Sequence, residues 1–469
     1  MPEEVTEVPV LTGRLRTVAA IGVIIVVAAG IVLRFYTHSA MWLDEALTVD
    51  RSRLPISQIA GSVKHDGAPP LYYYMLHFWM RAFGQSNLAV RSLSGVIGVI
   101  TLPVAWLAGK RVGGRTVAWT MLALTASAPF AVYYSTEARM YSLVILLTGC
   151  GYLALRRALD APRPGNLIAV GVVTAALLYT QYWSLYLVGM VGLYLLGSML
   201  WSIHRGRQWH GPLPALVAVG VGCIAFVPWL PIFYYQSKHT GTPWAAPPNF
   251  AAVINAVTGF TDNQGSTSAA GTNQGRLLAL LYFALAALAL FGVGRSDRVV
   301  ELDLHTRPRG RGLSFVVAGT LFAAIAGGIA TASAFAPRYA AVVFLPLLLL
   351  IALGTTTLLS PRVRLVVLTL AVVAGMAVSV ENVNTQRSQA PKVAAVINER
   401  ASPGDIVAFC PDQLGPAVYR VIAHPSKYDL ITFPRRTGPE FVDWVDYERH
   451  VHAGNTAKFV AALVRMAGS

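Results

Sequence analysis

Pro69-Pro70-Leu71-Tyr72-Tyr73-Tyr74-Met75-Leu76-His77-Phe78-Trp79-Met80 decides how this chain is threaded. The run is apolar, yet far shorter than the roughly 20 residues that cross a hydrocarbon core at about 1.5 Å per residue. Counted as a span, it would invert every later loop. Its length and aromatic content predict instead a re-entrant or interfacial helix. Residues 37–91 then form one long loop on one side, with helices near 44–60 and 70–83 lying along the membrane.

Outward from that loop the chain is a succession of apolar runs. Eleven approach span length: 18–36, 92–109, 116–134, 140–155, 166–181, 184–203, 213–233, 277–294, 314–335, 339–358 and 363–380. The 469 residues are 55% hydrophobic and 13% charged, with mean hydropathy +0.54. A soluble domain carries roughly 25% charge, so the class is an all-α polytopic membrane protein of about eleven transmembrane helices. The first run lacks a small-residue cleavage site after it and is expected to be a retained helix.

A net charge of +15 would suggest a nucleic-acid partner in a soluble protein. Here the basic residues sit in short loops and report topology. With the N-terminus in the cytoplasm, the inner loops carry Arg14/Arg16, Lys110/Arg111/Arg115, Arg156/Arg157/Arg163, Arg205/Arg207, Arg295 to Arg311, and Arg362/Arg364. The short outer loops near 135–139, 182 and 336–338 hold one positive charge or none. The expected localisation is a plasma membrane, multi-pass, with the C-terminal part extracytoplasmic.

Residues 234–276 predict a second long outer loop, rich in Gly, Asn, Thr, Ser and Pro. After about 382 the composition changes. Pro391 to Arg400 reads as a helix, Pro403-Gly404-Asp405 as a turn, Ile406-Val407-Ala408-Phe409 as a strand, and Asn455 as the cap of a last helix through Arg465. The division is thus a transmembrane domain over 1–382 and a small extracytoplasmic α/β domain over 383–469. Cys150 and Cys223 fall in apolar runs and Cys410 lacks an evident mate, so no disulfide and no cysteine metal site is expected.

On this threading five polar clusters emerge on the outer face: Asp44-Glu45, His65-Asp66, Glu137-Ala138-Arg139-Met140-Tyr141, Gln181-Tyr182-Trp183 and Pro337-Arg338-Tyr339. Acids at a helix start are often only caps, but caps would scatter over both faces. Ionisable residues at membrane depth are functional-site candidates. Carboxylates, arginines and aromatic rings at a lipid-accessible interface suit transfer of a sugar from a lipid phosphate. Such a donor carries a good leaving group, positive charge stabilises the departing anion, and a carboxylate can deprotonate the acceptor hydroxyl. The oxocarbenium character of the transition state is also eased by nearby negative charge.

The acidic pair after the first span, His65-Asp66 three residues before Pro69-Pro70-Leu71-Tyr72-Tyr73, Glu137-Ala138-Arg139-Met140-Tyr141, and Arg338-Tyr339 before a late span together resemble the GT-C superfamily of lipid-linked-sugar glycosyltransferases. The likeness covers roughly 15–350 and is nearest the protein O-mannosyltransferase and aminoarabinose transferase branch. It implies an inverting enzyme, hexosyl-, mannosyl- or pentosyl-transferring, that uses a polyprenyl-phosphate donor and a glycan, lipid or protein acceptor of the cell envelope. By resemblance Asp44 is the catalytic base and Glu45 assists it or binds a cation. Arg139 and Arg338 hold the phosphate, and His65 and Asp66 position the sugar or a metal. Tyr72, Glu137, Tyr141, Gln181, Tyr182 and Tyr339 complete the expected substrate-binding set. Ala68 stands where aminoarabinose transferases carry Lys, and Gln181 where relatives often carry His. The contiguous Asp44-Glu45 departs from the Asp-x-Asp of metal-dependent members, so the expectation is no certain cofactor, with a divalent cation the one candidate. Two other readings stay open: a transporter or flippase of lipid-linked sugars, and a non-catalytic assembly partner.

Overall fold

A computed structural model describes residues 12–205, 211–241, 251, 254, 258–262, 272–331, 335–435 and 437–468. Among them nine helices are long and apolar enough to cross a membrane. Helix α1 (Gly13–Leu33) leads into a long connection that carries α2 (Leu43–Arg53), α3 (Ile56–Val63) and α4 (Leu71–Phe83). Pro55 separates α2 from α3, as a ring without an N–H must. Gly84, at φ +87, ends α4 in a conformation only glycine adopts freely. The twelve-residue segment at 69–80 therefore does lie in a short helix within the loop, as its length predicts.

Ser86 caps the next helix, accepting from the Ala89 amide at 3.2 Å. This is α5 (Asn87–Ser127), whose backbone leaves helical geometry at Gly113 and Gly114. The turn there is a hairpin, for a Cβ on Gly109 would meet Val117, Ala118 and Met121. Thus α5 supplies two legs, and α6 (Pro129–Ser135) extends the second. Helices α7 (Tyr141–Asp160), α8 (Pro164–Leu178) and α9 (Ser184–His204) follow, then α10 (Leu213–Ile224), continued through a 3-10 turn by α11 (Leu230–His239). After them come α12 (Asn273–Phe291), α13 (Pro308–Thr331), α14 (Ala341–Gly354) and α15 (Pro361–Asn384). Helix α8 is apolar but short. Adding α8 and the second leg of α5 to the nine helices gives the eleven runs read from the sequence.

Helix α14 is buried at every residue and packs against α5, α7, α12 and α13. A helix apolar on all sides belongs at the centre of a bundle. The others present apolar faces outward, with Ile24, Ile25, Val172, Leu280 and Phe322 among the exposed side chains.

Two parts differ from the sequence reading. An antiparallel hairpin, β1 (Gly292–Ser296) with β2 (Val299–Leu302), occupies the basic segment expected to be plain loop. The expected loop 234–276 begins as helix, since α11 runs to His239; most of its remainder lies outside the described residues. Beyond Asn384 the expected helix, strand and last helix form as α16 (Ala390–Arg400), β3 (Ile406–Phe409) and α19 (Thr456–Ala467), and three elements the sequence reading did not give lie between them: α17 (Gly415–Tyr419), β4 (Asp429–Thr432) and α18 (Tyr447–Ala453). Strand β3 pairs in parallel with β4, and Asn455 caps α19 through the Lys458 amide at 2.8 Å.

Candidate active site

The acidic pair opens α2, and its two members face different surroundings. Glu45 is wholly buried. The Arg91 guanidinium, in the second turn of α5, donates to its two oxygens at 2.7 and 2.6 Å, and the Ala138 amide adds a third bond at 3.0 Å. Burial alone would raise the Glu45 carboxyl, but the charge and hydrogen bonds of Arg91 hold it below its usual range. The group is a strut between α2, α5 and the turn before α7. Asp44 lies on the open side of the same turn of helix. Its side chain is 20% exposed and stands 4.0 Å from the Arg338 guanidinium.

The turn Thr136–Met140, between α6 and α7, supplies the next groups. Arg139 donates to the Thr48 hydroxyl at 2.8 Å and lies 3.9 Å from Asp66. Asp66 accepts from the Tyr73 hydroxyl and faces Arg51 at 3.6 Å. Glu137 is fully buried, and neither oxygen finds a hydrogen-bond donor among the described residues. Its carboxyl is pushed up to about 7 by burial and by Glu45, against the pull of Arg387 and Arg139. Arg338 comes from the turn before α14 and lies over the rings of Trp42 and Tyr339, 5.6 and 5.3 Å from their centroids. Tyr141 is buried, its ring tilted at 60° to that of Tyr134 with centroids 4.6 Å apart, and its hydroxyl finds no hydrogen-bond partner among the described residues. Gln181 donates to the Tyr339 carbonyl at 3.2 Å.

Asp44, Glu45, Asp66, Glu137, Arg139, Tyr141, Arg338 and Tyr339 are thus brought together, with Gln181 at the edge. The other three expected site residues are placed elsewhere. Tyr72 is buried and bonded to the Ser94 hydroxyl at 2.7 Å, fastening α4 to α5. Tyr182 bonds Gln236 and Trp229, tying the start of α9 to α11. His65 turns to the C-terminal segment, where its Nδ1 meets Asp443 at 2.9 Å. Four participants escaped the sequence reading: Arg51, Arg91, Trp42 and Arg387. Arg91 carried a readable signal, an arginine at the mouth of an apolar run. Arg387 lies beyond the last span, and its bonds to Thr136 at 2.7 and 3.1 Å depend on how the tail folds back.

The expected cation donors do not converge. Glu45 is engaged by Arg91, Asp66 by Tyr73 and two arginines, and His65 by Asp443. Among the described residues no three His, Cys, Asp or Glu side chains group as metal ligands. These residues as arranged do not fit a metal.

Residues 67–232 match the family described as dolichyl-phosphate-mannose-protein mannosyltransferase. No curated protein matches the chain. Among solved structures, apo ArnT from Cupriavidus metallidurans is 14% identical, with a TM-score of 0.59 over 92% of this chain and 89% of that one. ArnT from the same organism bound to undecaprenyl phosphate is 13% identical, with a TM-score of 0.54 over 89% and 86%. The oligosaccharyltransferase of Archaeoglobus fulgidus, in complex with Zn and sulfate, is 12% identical, with a TM-score of 0.51 over 88% of this chain and 62% of that one. The chain shares the fold of these structures, and its family match is confined to residues 67–232.

Proposed function

We propose that this chain is an inverting glycosyltransferase that moves a monosaccharide from a polyprenyl-phosphate donor to an acceptor hydroxyl at the membrane surface. One observation carries the reading. Of the carboxylates gathered at the site, Asp44 keeps the most solvent access, its side chain 20% exposed, while Glu45 and Glu137 are wholly enclosed and Asp66 is 6% exposed. Asp44 also stands beside a cation suited to a phosphate.

In this mechanism the donor phosphate lies against Arg338, with Arg139 behind it. Asp44 takes the proton of the acceptor hydroxyl as that oxygen attacks the anomeric carbon. The bond from that carbon to the phosphate oxygen breaks, and its electron pair leaves on the phosphate, where the guanidinium stabilises the developing charge. A single displacement inverts the anomeric centre. Glu45 takes no proton; through Arg91 and the Ala138 amide it fixes where Asp44 points, a positioning role in place of the assisting one expected.

A mannosyl donor and a protein acceptor are the first pair to test, because the matched family's description names both. Undecaprenyl phosphate, the lipid in the ArnT complex, is the first carrier. The proposed orientation puts the Arg-rich loops in the cytoplasm and the site outside, at a plasma membrane, with 383–469 as an extracytoplasmic domain. A transporter gathers its polar groups near the bilayer midplane; here they gather at one end of the bundle, which favours an enzyme. The test is sugar transfer by full-length protein in liposomes. Asp44→Asn is expected to abolish product while the protein inserts and melts normally, and retained transfer by that variant would remove Asp44 from the mechanism.

A further inference from the structure

Helix α5 carries Arg91 at the candidate active site and Arg111 twenty residues later, about 30 Å away at 1.5 Å per residue. At that far end lies a cavity of about 570 Å³, bounded by α5, α7, α8, α9, α10, α13 and α14. This volume falls within the roughly 300–1,000 Å³ of pockets that hold a single small ligand. Its body is apolar, with Val173 and Leu187 in the wall. Its rim is basic and aromatic, with Arg111, Arg156, Tyr152 and Tyr194. Along α7 it runs from Arg156 in to Thr148, about 12 Å of helix rise. Arg111 is ion-paired with Asp160. Arg156 is exposed and makes no ion pair among the described residues.

We propose that this cavity is a binding site for one anionic glycerophospholipid. An acyl chain enters between α7, α8 and α9, and the head-group phosphate rests on Arg156. Basic pockets between membrane helices recognise acidic head groups in this way. The head-group end at Arg156 lies at the opposite end of the bundle from Arg338, which sets the phosphate position apart from that of the donor, while the inner wall at Leu177, Leu187 and Pro346 reaches toward the candidate active site. The lipid would hold α8, too short to span by itself, against its neighbours.

The full-length protein, purified in a neutral detergent, is titrated with phosphatidylglycerol, with phosphatidylcholine and with undecaprenyl phosphate, and bound lipid is counted by native mass spectrometry. The expected result is a single retained phosphatidylglycerol. Arg156→Gln should weaken it about fivefold, the loss of one basic contact with an acidic head group. Arg157→Gln, at the same end but outside the cavity, should leave binding unchanged. Val173→Trp, which fills the apolar wall, should abolish retention in protein that still melts cooperatively. Should that variant fail to fold, the two arginine variants decide the matter. Equal retention of phosphatidylcholine, equal weakening by Arg156→Gln and Arg157→Gln, or preferential binding of undecaprenyl phosphate would each overturn the assignment.

Discussion

Replacing Arg91 leaves the Glu45 carboxylate in a place where no water can stand in for the guanidinium. Breaking a buried pair by removing one partner costs about 3–5 kcal/mol. Arg91→Met is therefore expected to lower chemical-denaturation stability by about that amount, and the double change with Glu45→Leu should recover most of it. Glu137 supplies a pH signature. Its carboxyl holds its proton up to about 7 in the folded chain, whereas the ordinary value is 4.5. Stability from this group is full below about 4.5 and drains away as the pH rises through 7, on the order of 3 kcal/mol. Asp50, pushed up to about 6 by burial against the pull of Arg420 and Arg53, acts in the same direction. A Glu137→Gln variant should show a flatter dependence of melting temperature on pH between 5 and 8; an unchanged slope would contradict the buried, unpaired placement. Sequence alone placed these acids on one face, where the structure brings them near one another, but could not rank them. Asp44 and Glu45 are adjacent, and only the placement of Arg91 and the Ala138 amide shows which of them is sealed in.

Helices α2 and α3 are held from two sides. Below them lie α4 and α5; above them lies the C-terminal segment. Arg51 donates to the Val442 carbonyl at 2.8 Å, Arg420 meets Asp50 at 3.5 Å, and the Trp444 amide donates to the His65 carbonyl at 3.1 Å. The segment therefore braces the element that presents Asp44. Truncation after Asn384 is expected to abolish sugar transfer while the helices before it still insert; full transfer by the shortened chain would make the brace dispensable. The elements themselves were legible because an apolar run of span length has few alternatives in a bilayer. Helix α8 and the α5 hairpin were read from composition alone. The β1–β2 hairpin was hidden because its Arg and Glu side chains give no alternating apolar pattern; its Arg295–Glu301 pair at 2.7 Å is exposed. Tyr182 and His65 point away from the cluster for another reason: each faces a segment distant in sequence, α11 in one case and Asp443 in the other.

The threading of the whole bundle sorts its loops into two groups. Helices alternate in direction, so the acid and aromatic clusters meet at one end while Arg111 and Asp160 pair at the other. Exposed Asn87 and Ser402 belong to the first end and exposed Lys110 to the second. Cysteines placed at Asn87 and Ser402 are expected to react with an impermeant thiol reagent from outside intact cells, and one at Lys110 only after permeabilisation. Ser135 is too buried to report. That arrangement was readable because arginine-rich loops and apolar lengths are independent signals that agree. Helix α14 is enclosed along its whole length by protein and presents no side to the surrounding bilayer. A bilayer imposes its thickness on the helices it wets, through tilt and mismatch. A mast with no wetted side is spared that adjustment, and Arg338, seated at its foot, should keep its height relative to Asp44 when the host vesicle is made of shorter or longer lipids.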